Sequence, residues 1–298
     1  MSQHPTQRDA AKNSRGAVFM IAAMAFFAVE DTCLKAVAAS LPVSEILILF
    51  GSTGVIVFSG LALLANEKPF PANVFSPLIL ARCLSEIIGR LFYMLAIALT
   101  PLSTASAILQ ATPLVVIGCA GLFGERVSMR RWISVFAGFA GVVLILRPGT
   151  EGFGLLSLLA VIAMLGFAGR DLATRAAPLH MSHRQLGVLG FMVLIAAGLV
   201  AAPFTRPMIV PDTTTIWILF LGSASGIIAY TALTVAMRTG EIAAVTPFRY
   251  TRLVFAVIAG FFVFQERPDL WTMVGSAVVV GSGIFALTVR RKTTPRLT

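Results

Sequence analysis

Charge is what this sequence lacks. Only 12% of its 298 residues are Asp, Glu, Lys or Arg, about half the quarter usual in a water-soluble domain. Such a surface cannot be solvated by water alone, which excludes an ordinary soluble enzyme or binding module. Histidine is also scarce, with His4, His180 and His183 all outside the apolar runs. There is no H-E-x-x-H, no G-x-S-x-G and no phosphate loop of the G-x4-G-K type. These absences argue against an intramembrane zinc or serine hydrolase and against ATP hydrolysis, and they imply no cofactor. Cysteine is limited to Cys33, Cys83 and Cys119. An odd number without ligand spacing gives neither a disulfide framework nor a metal site, so they are read as small buried apolar residues.

What is abundant is hydrocarbon. Reading for spans of about 20 apolar residues gives ten, near 17–38, 45–65, 76–99, 103–123, 131–147, 154–176, 184–204, 214–237, 242–264 and 270–289. The fold class expected is an all-α membrane protein. Ala36-Val37-Ala38 imitates a signal-peptide cleavage site, but a repeat pairs this first segment with an internal one and makes it a span.

Lys and Arg outnumber Asp and Glu by 23 to 13. Their distribution points to membrane topology and no nucleic-acid partner. With the N-terminus inside, the inner segments hold Arg8, Lys12, Arg15, Lys68, Arg126, Arg130, Arg131, Arg184, Arg238, Arg290, Arg291, Lys292 and Arg296. The outer loops hold Arg147, Arg206 and Arg267. That bias predicts a multi-pass protein with both termini cytoplasmic, its basic tails (1–15 and 291–298) meeting anionic membrane lipid.

Sliding the sequence against itself by 140 residues sets FAVEDTCLKA on FAGRDLATRA, aligning Phe27 with Phe167, Asp31 with Asp171 and Lys35 with Arg175. With one insertion, Glu125-Arg126 meets Glu266-Arg267. Two five-span repeats follow, 16–149 and 150–290. Because five is odd, the second copy is inverted, as in secondary transporters whose solute sits between the halves near the bilayer midplane.

Within the spans lie Lys35, Arg82, Arg90, Arg170, Arg175, Arg249 and Arg252, with Glu30, Asp31, Glu86 and Asp171. Each charge at mid-bilayer costs about 2.5–3.5 kcal/mol on insertion scales, so each must face protein or water. Asp31 with Lys35, and Asp171 with Arg175, are four apart with the acid leading. They are expected to pair along their helices as supports that rearrange when one side closes. Arg82, Glu86, Arg90 and then Tyr93 line one face of the third span; Arg82 is expected to snorkel towards headgroups and Arg90 to point inward. In TPFRYTRLVF, Arg249 and Arg252 share a face flanked by Phe248 and Tyr250, a set suited to a carboxylate, phosphate or planar ring. Alternatively these arginines pair with Asp31, Asp171 or Glu86 to fasten the halves. The expected substrate site is Arg90, Tyr93, Phe248, Arg249, Tyr250 and Arg252, with Asp31, Lys35, Glu86, Asp171 and Arg175 gating or coupling. Gln110 is read equally as an interhelical hydrogen bond or a ligand contact, Thr112-Pro113 as a bend, and Glu125 and Glu266 as structural caps. Gly222 and Gly226 fit close helix packing, and most of the Phe residues are assigned to packing or lipid. Proton coupling would need a carboxylate that changes protonation. Asp31 and Asp171 come first, Glu30 and Glu86 next.

The ten spans, the repeat, the GER at 124–126, GFAGVVLILRPG from Gly138 and AAVTPFRYTRLVFAVIAGFFVFQERPD from Ala243 resemble the drug/metabolite transporter superfamily, EamA type. The last stretch is similar to the ninth span of bacterial S-adenosylmethionine and riboflavin uptake carriers. The resemblance implies a secondary carrier of the bacterial inner membrane for a small-molecule metabolite, working without ATP hydrolysis. Export of amino acids and flipping of a lipid precursor are the alternatives it leaves open, and an intramembrane enzyme is a remoter one. Gln265 replaces the family's Gly in the second Gly-Glu.

Overall fold

The computed structural model describes residues 7–70, 75–122, 128–147, 154–176, 182–239 and 245–288. Every regular element among them is helical. The α-helices are α1 (Gln7–Val37), α2 (Val43–Leu64), α3 (Pro77–Leu99), α4 (Leu102–Leu109), α5 (Thr112–Leu122), α6 (Met129–Leu146), α7 (Leu158–Ala176), α8 (His183–Ala201), α9 (Thr213–Thr239), α10 (Thr251–Phe264) and α11 (Leu270–Thr288). A tighter 3₁₀ turn, Thr246–Tyr250, leads into α10.

Local chemistry sets the helix starts. Ser76 accepts from Ile79 N at 3.4 Å with Pro77 in the first turn of α3, where the missing proline N–H leaves nothing unsatisfied. Ser182 and Gln185 form a reciprocal capping box on α8, at 3.2 and 3.1 Å. Asp212 caps α9 through Thr215 N at 2.8 Å, and Asp269 caps α11 through Thr272 N at 2.9 Å. These hydrogen bonds hold both carboxyls below their ordinary pKa. The expected bend at Thr112-Pro113 is a full interruption. Thr112 Oγ1 donates to Leu109 O at 2.6 Å, and the helix stops at Gln110 before restarting as α5.

Among the described residues seven stretches are long and apolar enough to cross a membrane, and Trp132–Leu146 and Leu270–Ala286 are shorter apolar helices. The remaining long helix, Pro77–Leu99, carries Arg82, Glu86 and Arg90, which lowers its hydropathy without shortening it. Outward-facing Ile56, Leu64, Phe136, Leu199, Trp217 and Phe262 are all more than half exposed. Such a surface suits hydrocarbon and would not suit water. The protein is therefore a multi-pass membrane protein.

Helix contacts follow an exchange rule. α1 packs on α9 as α3 packs on α7; α2 packs on α8 and α6 on α11; α1 packs on α10 as α7 packs on α4 and α5. Exchanging each helix of residues 7–146 with its counterpart in 158–288 maps this contact set onto itself, so the repeat in the sequence is a repeat in space. Glycine permits the nearest approaches. A Cβ at Gly141 would lie 2.8 Å from Gly275 O, and one at Gly275 2.6 Å from Gly141 O, fixing α6 against α11. Gly222 and Gly226 meet Cys33 and Glu30 of α1 in the same manner. Between α2 and α8 the aromatic rings of Phe50, Phe58 and Phe191 interdigitate.

Candidate functional site

The charged residues of the apolar runs converge where the two halves meet. α1 supplies Glu30, Asp31 and Lys35; α3 supplies Arg82, Glu86, Arg90 and Tyr93; α7 supplies Arg170 and Asp171; the 246–264 segment supplies Arg249 and Arg252. Arg82, Glu86, Arg90 and Tyr93 share one face of α3 because they are three or four apart, whereas Glu30 with Asp31 and Arg170 with Asp171 are adjacent and look towards different neighbours.

Asp31 is held from the opposite half. Arg252 donates to it through Nε at 3.1 Å and through Nη2 at 2.9 and 2.7 Å, and Tyr93 Oη donates at 2.9 Å. The Arg252 guanidinium also lies over Phe27, 5.0 Å from the ring centre, and near Tyr93 at 5.5 Å. This corrects the expected pairing of Asp31 with Lys35. An intrahelical neighbour could offer one point charge, whereas the arginine fork satisfies both carboxylate oxygens.

Lys35 turns instead to the end of the bundle. Its ammonium donates to Ile97 O at 3.0 Å and Thr100 O at 2.6 Å, the last carbonyls of α3, and pairs with Glu266 Oε1 at 3.2 Å. Glu266 in turn accepts from Leu102 N at 2.8 Å, and from Ser103 N and Ser103 Oγ at 3.3 Å. It is a cap, as its place in the sequence suggests, but of a helix in the other half. A cation thus meets free carbonyls at one helix C-terminus and an anion meets free N–H groups at another helix N-terminus. Four segments from both halves are tied at this end.

A second cluster joins α3 to α7. Arg82 Nη2 lies 3.1 Å from Glu86 Oε2, and its Nε donates to Thr174 Oγ1 at 3.2 Å. Arg170 reaches Glu86 at 3.5 Å and donates to Asp171 at 2.8 and 2.9 Å. Arg82 is only 7% exposed and is engaged by Glu86 and Thr174, so the expectation that it snorkels is corrected. Arg90 and Arg170 lie over Phe167 at 5.8 and 4.9 Å from its centre. Phe27 and Phe167 are not packing residues alone: they are the aromatic identities of the repeat, and that recurrence is the signal in the sequence that marks them.

Arg249 differs from the other arginines. Among the described residues no acid forms an ion pair with its guanidinium, although the charge of Asp171 acts on it, and its backbone carbonyl accepts from Gln110 Nε2 at 3.1 Å. Gln110 therefore makes an interhelical hydrogen bond. Tyr250 is 4% exposed, its ring against Gly283, while Phe248 is 38% exposed. Cys33 is buried, Cys83 and Cys119 half-buried, and all three are free thiols. No cluster of three metal-ligating side chains occurs among the described residues. Glu125, Arg126, His4, His180 and the side chains of Arg175 and His183 lie outside the described residues.

Comparisons with known proteins agree with this architecture. The chain is 27% identical over 291 residues to a riboflavin transporter of Vibrio cholerae, covering 96% of this chain and 94% of that one. It is 26% identical over 238 residues to an S-adenosylmethionine uptake transporter of Rickettsia prowazekii, covering 80% and 78%. It is 26% identical over 269 residues to a pseudopaline exporter of Pseudomonas aeruginosa, covering 89% and 93%. A solved crystal structure shares the fold at 16% identity with a TM-score of 0.61, covering 92% of this chain and 96% of that one. The model of the EamA-like transporter family matches twice, over residues 14–147 and 154–288. Those two matches coincide with the two halves that exchange in space and share the buried charges, so this chain belongs to the EamA-like transporter family.

Proposed function

We propose that the protein is a secondary carrier that moves a small polar metabolite, of the riboflavin or S-adenosylmethionine kind, into the cell by alternating access. The observation that carries this reading is the set of charges gathered at the junction of two exchangeable halves in a membrane-spanning bundle. Side chains that would be expelled from lipid are drawn there from α1, α3, α7 and the 246–264 segment. Ten crossings with inverted halves and both termini cytoplasmic are part of the same proposal, supported by the distribution of Lys and Arg across the connecting segments.

Arg249 and Arg90 are the principal solute contacts. Arg249 has no ion-pair partner among the described residues, and Arg90 has a single distant one, Glu30 at 3.8 Å. Each guanidinium can donate to two oxygens of a carboxylate or phosphate, or to a ring carbonyl. Phe248 and Tyr250 flank planar parts of the solute. Arg252 and Tyr93 orient Asp31 and reach the solute only after exchanging partners. Lys35 with Glu266 closes one end, the external one in this topology, while Glu86, Asp171 and Arg175 act at the other.

The likeness to the pseudopaline exporter supports outward movement as a second reading of direction. Counterflow in proteoliposomes loaded in turn with riboflavin, S-adenosylmethionine and amino acids tests both. Exchange of one labelled solute, lost in Arg249→Ala, is the expected result. Absence of exchange for all of them, with a lipid probe scrambled between leaflets, would favour a flippase.

A further inference from the structure

We infer that Glu30 is the proton site of this carrier and that it works by competing with the solute for Arg90. This rests on the carrier reading above and adds to it the driving ion and the residue that binds it.

The buried ion pairs are unequally made. Asp31, Asp171 and Glu266 each accept at least two hydrogen bonds no longer than 3.3 Å. Glu30 is 2% exposed, yet its nearest cation, Arg90 Nη1, is 3.8 Å from Oε1, beyond hydrogen-bonding length. Among the described residues its Oε2 has no hydrogen-bond partner, and neither has Arg90 Nε; no side chain donates to that oxygen. α9 faces the carboxyl with Gly226, where an added Cβ would lie 3.0 Å from Oε2, and α2 with the ring of Phe50. The charged and titratable groups facing Glu30 are Asp31 and the Cys33 thiol on its own helix, Arg90 on α3 and Arg252 on α10. Asp31 and Arg252 are committed to each other by the three hydrogen bonds described above. Of the charges that face Glu30, Arg90 is therefore the one that no hydrogen bond to another carboxylate commits elsewhere.

A buried carboxylate with one distant counter-charge gains by taking up a proton, because the neutral acid needs less solvation. Protonation also frees Arg90. An anionic or acceptor group of the solute can then take the N–H edge of its guanidinium, which ionised Glu30 otherwise holds by attraction. When the solute leaves, Arg90 returns to Glu30 and the proton departs from the carboxyl oxygen that received it, one proton per solute. Reciprocity requires that acid tighten solute binding and that solute binding take up a proton.

The test begins without a solute. Infrared difference spectra of the purified protein between about pH 5 and 8, the range for a coupling group poised near neutrality, should contain a protonated-carboxyl band. Glu30→Gln should lose that band, and Glu30→Asp should regain it. In proteoliposomes, labelled riboflavin and S-adenosylmethionine are then followed in counterflow and under an imposed inward proton gradient. Glu30→Gln, locked in the neutral form, should exchange solute but lose gradient-driven accumulation; Glu30→Asp should restore part of it. An unchanged carboxyl band in Glu30→Gln, no band in the wild type, or undiminished accumulation by Glu30→Gln would each overturn the proposal. No counterflow by the wild type, with the band lost in Glu30→Gln, would count against the choice of solutes and leave the proton site standing.

Discussion

Arg252 of the second half grips Asp31 of the first with three hydrogen bonds of 2.7–3.1 Å, and Tyr93 adds a fourth at 2.9 Å. The two residues are 221 positions apart, and Asp31 is 1% exposed. The pair is a strut between the halves, and its energetics differ from those of a surface salt bridge.

Removing one partner strands a buried charge, which costs about 3–5 kcal/mol, whereas replacing both by neutral groups costs far less. Arg252→Ala should therefore lower thermal stability in detergent and abolish uptake. Asp31→Asn combined with Arg252→Gln should recover most of the stability without the transport. Arg249→Ala offers the contrast: its guanidinium has no ion-pair partner among the described residues, so uptake should fall while stability holds. Thermal unfolding followed by fluorescence separates these cases.

Glu266 should govern closure of the end where Lys35, Thr100 and Leu102 meet. Glu266→Gln keeps the shape of the side chain but loses the charge that holds the α4 N-terminus and Lys35. Charge-assisted hydrogen bonds of this kind contribute about 1.5–3 kcal/mol, enough to raise opening about tenfold or more. A cysteine at Ser103, buried in the closed arrangement, should react correspondingly faster with an impermeant maleimide in the Glu266→Gln background. Equal rates would show that the tie does not hold this end shut.

The α6–α11 contact should tolerate no side chain. At Gly141 and Gly275 the obstructing atoms are each other's backbone oxygens, which no rotamer change can move. Gly141→Ala and Gly275→Ala should each cost about 1–3 kcal/mol through overpacking. Gly60, which has nothing within 4 Å of an added Cβ, should accept alanine without loss. Unfolding temperatures of the three variants in one detergent decide the matter.

Asp269 lies in the loop before α11, paired with Arg147. Its hydrogen bonds with Thr272 and then its pairing with Arg147 hold the carboxyl below its ordinary pKa. A depressed folded pKa contributes stability above the unfolded value of about 3.9, and that contribution is lost as pH falls through the folded value. Asp269→Asn should therefore be less stable than the wild type near neutral pH. The difference should shrink below about pH 4 and vanish in stronger acid. A difference independent of pH would assign the effect to capping alone.

Which helix each charge occupies, and which face of it, was legible beforehand, because apolar runs and 3.6-residue spacing are properties of the chain itself. The partners were not. Asp31 with Lys35 had the right spacing and the favoured order, yet an arginine from the other half offers a carboxylate two donors in one plane. Arg82 looked shallow enough to reach headgroups, until α7 brought Thr174 to its Nε at 3.2 Å.

The sequence by itself determined that this protein lives in a membrane, that it is built twice, and that charged residues recur at matching places in both copies. Those features follow from composition and order, which need no neighbours. Only the tertiary structure decided which charges satisfy one another, because a buried ion pair depends on which helices pack together. That left Arg249 without an ion-pair partner among the described residues and Glu30 with an incomplete one. It also placed Glu266 on a helix end 164 residues away, where a carboxylate is held by backbone N–H groups that exist only once that helix has formed.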